Sequence, residues 1–154
     1  MKYKKVFFAV AILVLATANF GFKPALDDAD WLAYANRCLT QSFDQSADPK
    51  LKKVEISVTT DYFIRLRKTY AKDMQEYYSF NLHHLNDFDY LGSTTTGILE
   101  FKTQADDIIV QTYNDRRGDI DSMTTSLGIP VKNMEPERLD SLREAFNYFK
   151  TKGL

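Results

Sequence analysis

LKKVEISVTTDYFIRLRKTYAKDMQEYYSFNL, residues 51–82, repeats its apolar side chains at every second position. Val54, Ile56 and Val58 alternate with Glu55, Ser57 and Thr59. In the next run Tyr62, Ile64, Leu66 and Tyr70 share one side, with Arg65, Arg67 and Thr69 on the other. A third run sets Tyr78, Phe80 and Leu82 against Tyr77, Ser79 and Asn81. A period of two is the pattern of a strand with one face in a core and one in water. Lys72-Asp73 sits between the second and third runs, so the spacing predicts a hairpin there.

Beyond residue 82 the strand signals continue. Asn86 to Thr96, with Asp87, Asp89, Gly92 and three consecutive threonines, reads as a loop. Residues 97–103 read as a strand, 104–107 as a turn, 108–113 as a strand and 114–119 as another turn. Met123, Thr125, Leu127, Ile129 and Val131 then share one face of a last strand. The chain ends in a different period. Leu139, Leu142, Phe146 and Phe149 form the stripe of an amphipathic helix over 136–151, with Pro136 in the first turn and Gly153 beyond the end.

On the N-terminal side, Ser46 to Lys50 reads as a loop. Trp31, Leu32, Ala35, Cys38, Leu39 and Phe43 recur at helical spacing, which predicts a helix over roughly 28–43. Asp27, Asp28 and Asp30 suit the positive end of its dipole. Cys38 lies on the apolar side of this helix and reads as a small buried hydrophobe rather than a reactive thiol.

The order is helix, about six strands, helix. Short links between strands imply antiparallel pairing, because parallel pairs need long crossovers. The expected fold is α+β: an N-terminal helix, a curved antiparallel sheet or barrel, and a C-terminal amphipathic helix packed on it. In element order, residues 51–152 resemble a pleckstrin-homology-type barrel. The passage Ile129-Pro130-Val131-Lys132-Asn133-Met134-Glu135-Pro136, from last strand into helix, carries most of that resemblance. The resemblance implies a ligand- or protein-binding scaffold rather than a catalyst.

Residues 1–18, MKYKKVFFAVAILVLATA, have the three parts of a secretory signal peptide. Lys2, Lys4 and Lys5 form the charged start, Val6 to Leu15 the apolar run, and Ala16-Thr17-Ala18 the small residues of a cleavage site. The apolar run is shorter than the ~20 residues a bilayer-spanning helix needs, and no Cys follows it at a lipidation position. A retained N-terminal anchor is the competing reading. The expected organisation is signal peptide 1–18, tether 19–26 and one domain over 27–152, exported to a periplasm or the exterior with no stable membrane span after cleavage. Phosphoinositide binding, the cytosolic use of the resembled fold, is not carried over to that setting.

Composition narrows the function classes. A net charge of −1 argues against a nucleic-acid binder, whose affinity rests on neutralising many phosphates. One Cys excludes an internal disulfide and any Cys-rich zinc site. There is no G-x-S-x-G, and Gly92-Ser93-Thr94 lacks the G-K-[ST] of a phosphate loop. His83, His84, Asp87 and Asp89 are the best metal or acid–base constellation, since all four can ligate a divalent cation. On a strand, however, the two histidines would face opposite ways. Asn114, Asp115, Asp119 and Asp121 miss the spacing of a calcium loop and read as a solvated hairpin tip. Arg117-Gly118-Asp119 spells an adhesion tripeptide to which no function is assigned. Arg65, Arg67 and Lys68, with Tyr77 and Tyr78 across the hairpin, could form a basic–aromatic face for an acidic ligand. The plainer alternative is Arg stacked on cross-strand Tyr.

The expected function is a non-catalytic exported domain that binds a protein partner or small ligand without a cofactor. A metal-assisted hydrolase built on His83, His84, Asp87 and Asp89, or a structural subunit of an envelope assembly, are the alternatives. For export, N-terminal sequencing of the secreted protein is expected to begin at Asn19. Recovery of a membrane-extracted chain starting at Met1 would show a retained anchor instead.

Overall fold

The structure, a computed structural model, describes residues 26–152. The signal segment, nearly all of the tether, and Gly153 lie outside the described residues. Helix α1 spans Asp28–Ser42. Eight strands follow among the described residues: β1 Lys53–Val58, β2 Phe63–Thr69, β3 Gln75–Asn81, β4 Leu85–Gly92, β5 Thr96–Thr103, β6 Ile108–Tyr113, β7 Asp121–Thr124 and β8 Ser126–Lys132. Helix α2, Pro136–Lys152, closes the chain.

The fold is α+β, as the alternation implied, and every strand pair is antiparallel. The strands form a five-stranded sheet, ordered β1-β2-β3-β6-β7, and a three-stranded one, ordered β4-β5-β8, with no closed barrel. Pairing of neighbours along the chain therefore breaks three times. A short 3-10 turn at Leu82–His84 carries the chain from the larger sheet to the smaller. Residues 104–107 carry it back, and Thr125 carries it over again, so the single last strand expected at 123–131 is two strands in different sheets.

The segment expected as a loop at 86–96 is mostly strand β4. Its pattern was hidden because the register shifts between Leu85 and Asp87, a bulge that moves the next inward residue to Phe88. Only Ser93–Thr95 remain as the turn, with the Ser93 N–H donating to the Thr96 carbonyl. A Cβ at Gly97 would meet the Tyr90 ring and hydroxyl, which would have to shift to admit it.

Both helices begin as their sequences dictate. The Asp27 side chain accepts from the Asp30 N–H and caps α1, while α2 starts on Pro136. Leu142, Ala145, Phe146 and Phe149 of α2 are buried. Phe146 meets Phe88 and Phe101 of the smaller sheet at ring-centroid distances of 5.0 and 5.5 Å. Phe101 meets Phe80 of the larger sheet at 5.8 Å. Phe149 stacks on Tyr62 at 5.5 Å. One aromatic cluster thus joins α2 to both sheets.

Three of the four sheet edges receive hydrogen bonds from the helices or their flanks among the described residues. Asn36 of α1 bonds Val58 through both of that residue's backbone groups, accepting from its N–H and donating to its carbonyl, as a neighbouring strand would. Phe43 bridges Val131 and the Asp44 N–H donates to the Pro130 carbonyl, covering β8. Arg143 of α2 donates to the Phe88 carbonyl on β4. Pairing of this kind blunts edges that would otherwise recruit another strand.

The start of α1 is tied to the end of α2. Asp28 accepts hydrogen bonds from the Tyr148 and Tyr62 hydroxyls and faces the Lys152 ammonium at 3.7 Å. These partners, Tyr148 and Tyr62 before Lys152, hold the Asp28 carboxyl below its ordinary value of 3.8. A lowered folded-state pKa adds stability above the unfolded value, and that contribution disappears as pH falls through the folded value. Asp28→Asn is expected to reduce stability at neutral pH and to flatten the acid limb of stability below about pH 4, as read by denaturant melts at several pH values. Phe146 is 1% exposed. Its replacement by Ala is expected to cost ~3–5 kcal/mol, and a change under about 1 kcal/mol would place α2 outside the core.

Candidate functional site

Antiparallel pairing puts directly opposed residues on the same face. Across the larger sheet, Glu55, Arg67, Tyr77, Gln111 and Asp121 form one outer row, and Ser57, Arg65, Ser79, Ile109 and Met123 the next. Arg65 and Arg67 therefore stand side by side, two positions apart on β2. No helix lies over them: Glu55, Arg65, Arg67, Tyr113 and Met123 are all exposed. Each guanidinium rests over an aromatic ring. Arg67 lies 5.7 Å from the centroid of Tyr77 and Arg65 5.7 Å from that of Phe63. The Asp61 carboxylate approaches Arg65 only to 3.9 Å. Glu55 is engaged by Lys53 at 3.0 Å. Among the described residues no carboxylate pairs with Arg67 within 4.0 Å. Three of the expected basic–aromatic residues, Arg65, Arg67 and Tyr77, are thus brought together with Phe63.

Tyr78 and Lys68 are not part of that face. They point to the inner side, where Tyr78 lies opposite Leu66 and packs against the core. The Lys68 ammonium lies over the Tyr78 ring at 5.5 Å and 3.9 Å from Glu76 Oε2. That same carboxylate oxygen accepts from the hydroxyls of Tyr70, at 3.2 Å, and Tyr78, at 3.3 Å. Burial and then the Glu76 charge push the Tyr78 hydroxyl up to about 12. Tyr70 is raised further, again first by burial and then by Glu76, with Asp48 adding to the effect. Both hydroxyls are held as neutral donors.

His83 and His84 lie on the 3-10 turn Leu82–His84 rather than on a strand, so alternation does not separate them. The Asn81 side chain accepts from the His83 N–H and fixes the turn. The two rings are 5.8 Å apart and face a groove of about 280 Å³ together with Gln104, Asp107 and Lys150. His84 Nδ1 lies 3.2 Å from Asp107 Oδ2, and His83 Nδ1 lies 3.3 Å from the Lys150 carbonyl. Asp87 and Asp89 sit instead on β4, opposite Lys102 and Glu100. Among the described residues no three His, Cys, Asp or Glu side chains gather as a metal-holding group.

The carboxylates of the β6–β7 turn serve the turn itself. Asp115 accepts from the Arg117 N–H and pairs with its side chain at 3.6 Å, while Asp119 accepts from the Asp115 N–H. Asp121 accepts from Gln111 on the outer face. Cys38 is buried, and burial raises its thiol above the ordinary value, which keeps it protonated and unreactive.

Sequence reasoning missed the role of Glu76. A Glu between aromatic residues on a strand was a usable signal, because a carboxylate on the inward-facing parity has to find donors. Compared with known proteins, the chain matches no family model, no curated protein and no solved structure.

Proposed function

We propose that the protein is a non-catalytic binding domain that acts outside the cytoplasm and receives an acidic segment of a partner protein on the outer face of its larger sheet. The observation that carries this reading is the Arg65–Arg67 pair, laid over Phe63 and Tyr77 on a face that no helix covers. Each guanidinium carbon lies 5.7 Å from its ring centroid, and the fork of N–H donors on each Arg suits a carboxylate. The antiparallel sheets with a C-terminal helix packed on them are compatible with a pleckstrin-homology-type scaffold, which agrees with a binding role. Fold alone does not decide function. The tripartite pattern of residues 1–18 supports export.

The hydrolase alternative gains nothing from the geometry. His83 Nδ1 meets the Lys150 carbonyl and His84 Nδ1 meets Asp107, while Asp87 and Asp89 lie away from them across from Lys102 and Glu100.

Titration with a hexaglutamate peptide, followed by amide NMR, is expected to shift Arg65, Arg67 and Tyr77 saturably. The shifts should weaken as salt is raised, because exposed charges are screened within about 8–10 Å at physiological ionic strength. Hydrogen bonds to charged groups are worth about 1.5–3 kcal/mol each, so Arg67→Ala should weaken binding about tenfold or more. Absence of saturation, or affinity unchanged in a folded Arg65→Glu/Arg67→Glu protein, would refute the reading. A hydrolase substrate panel completes the test. Turnover by the wild type that is lost in folded His83→Asn/His84→Asn would transfer the function to the histidine groove.

A further inference from the structure

On the opposite side of the larger sheet from Arg65 and Arg67, the Glu76 network opens into a cleft of about 760 Å³, within the size range of small-molecule sites. Its walls are three turns. One is Asp48-Pro49-Lys50, the second is the β2–β3 turn with Ala71 and Met74, and the third brings Arg117 from the β6–β7 turn. Each wall is tied in place. The Asp48 carboxylate accepts from the Lys50 N–H, and the Lys52 N–H donates to the Thr69 carbonyl on β2. The Asn114 side chain donates to the Asp73 carbonyl at 3.0 Å and joins the second turn to the third. Lys72, Asp73 and Asn114 all have φ near +60°, so both of these turns hold a conformation that side chains other than Gly rarely adopt.

Its charges are sorted by depth. Asp48 and Glu76 are half-buried, and Tyr70 lies with them, its hydroxyl on Glu76 Oε2. Glu76 Oε1 takes no hydrogen bond from any described residue. Lys50 and Arg117 are exposed at the rim. Pro49, Ala71 and Met74 supply the apolar part of the lining. A ligand that satisfies such a cleft carries an ammonium inward, a carboxylate outward and an apolar body between.

We propose that this cleft binds a zwitterionic amino compound, with its ammonium on Glu76 and Asp48 against the Tyr70 ring and its carboxylate on Lys50 and Arg117. Free amino acids and the N-termini of short peptides share this chemistry. The neutral Tyr70 hydroxyl, raised by burial and by both carboxylates, is consistent with a negative floor. This site is independent of the acidic-partner face, since it shares no residue with it.

The test follows the Met74 methyl and Tyr70 ring by NMR during titration of the full domain. L-leucine is the free amino-acid probe and leucyl-leucine the peptide probe, and the tighter of the two identifies the source. Saturable shifts with either are expected. N-acetyl-leucine, which lacks the ammonium, and leucinamide, which lacks the carboxylate, should each bind at least tenfold more weakly than leucine. Glu76→Gln should lose leucine binding by a similar factor. Because that change touches the Lys68 pair, a second variant is needed. Lys50→Ala alters an exposed side chain that forms no ion pair among the described residues, and it should weaken leucine but not leucinamide. No saturation with leucine or leucyl-leucine overturns the proposal. So does equal affinity for N-acetyl-leucine, or leucine binding unchanged in the rim variant.

Discussion

Phe101 is the residue on which the two sheets and the C-terminal helix converge. Its ring meets Phe80, Phe88 and Phe146 at 5.8, 5.0 and 5.5 Å. Fully burying one such side chain is worth ~1.5–3 kcal/mol, and aromatic pairs add ~0.5–1.5 kcal/mol beyond area. The exposed ion pairs contribute ~0–1 kcal/mol each. The aromatic cluster therefore sets the relation of the sheets, and the charged surface is free to serve other ends. Polar groups brought to the core's margin are each answered, as Asn36 answers Val58 and Arg138 answers Ser42.

Splitting eight strands into two sheets creates four edges, and the helices and their flanks contact three of them. Asn36, Phe43 with Asp44, and Arg143 each lend hydrogen bonds to an edge. This leaves the outer face of the larger sheet as open surface, with Arg65 and Arg67 over their rings. The inner face of the same sheet runs out past the end of the core. There Lys68, Tyr70 and Tyr78 all gather on Glu76 Oε2, and the surrounding turns raise walls. The two faces of one sheet thus differ in character: exposed arginines outside, and a concave margin lined by Glu76 and Asp48 inside.

Much of this was legible in the residues alone. Period-two alternation over 51–82 determined three strands and their faces, including the parity that places Arg65, Arg67 and Tyr77 together. The same parity already separated Tyr78 from Tyr77, because neighbouring residues on a strand point oppositely. Helical spacing determined α1, α2 and the burial of Cys38, and hydrophobic period is a local property that needs no partner to be read. Tertiary structure alone decided how the strands were shared between sheets. Strand β4 carries Leu85 and Phe88 at a spacing that a bulge makes workable only once β5 lies beside it. Residues 123–131 read as one alternation in sequence, but the change of sheet at Thr125 leaves Met123 exposed on the outer face while Leu127, Ile129 and Val131 enter the core. A local 3-10 turn sets His83 beside His84, but their partners Asp107 and Lys150, and the turns that make Glu76 part of a cleft, come from distant parts of the chain. Local pattern sets which way a side chain points. What it points at depends on which distant segment the core brings across from it.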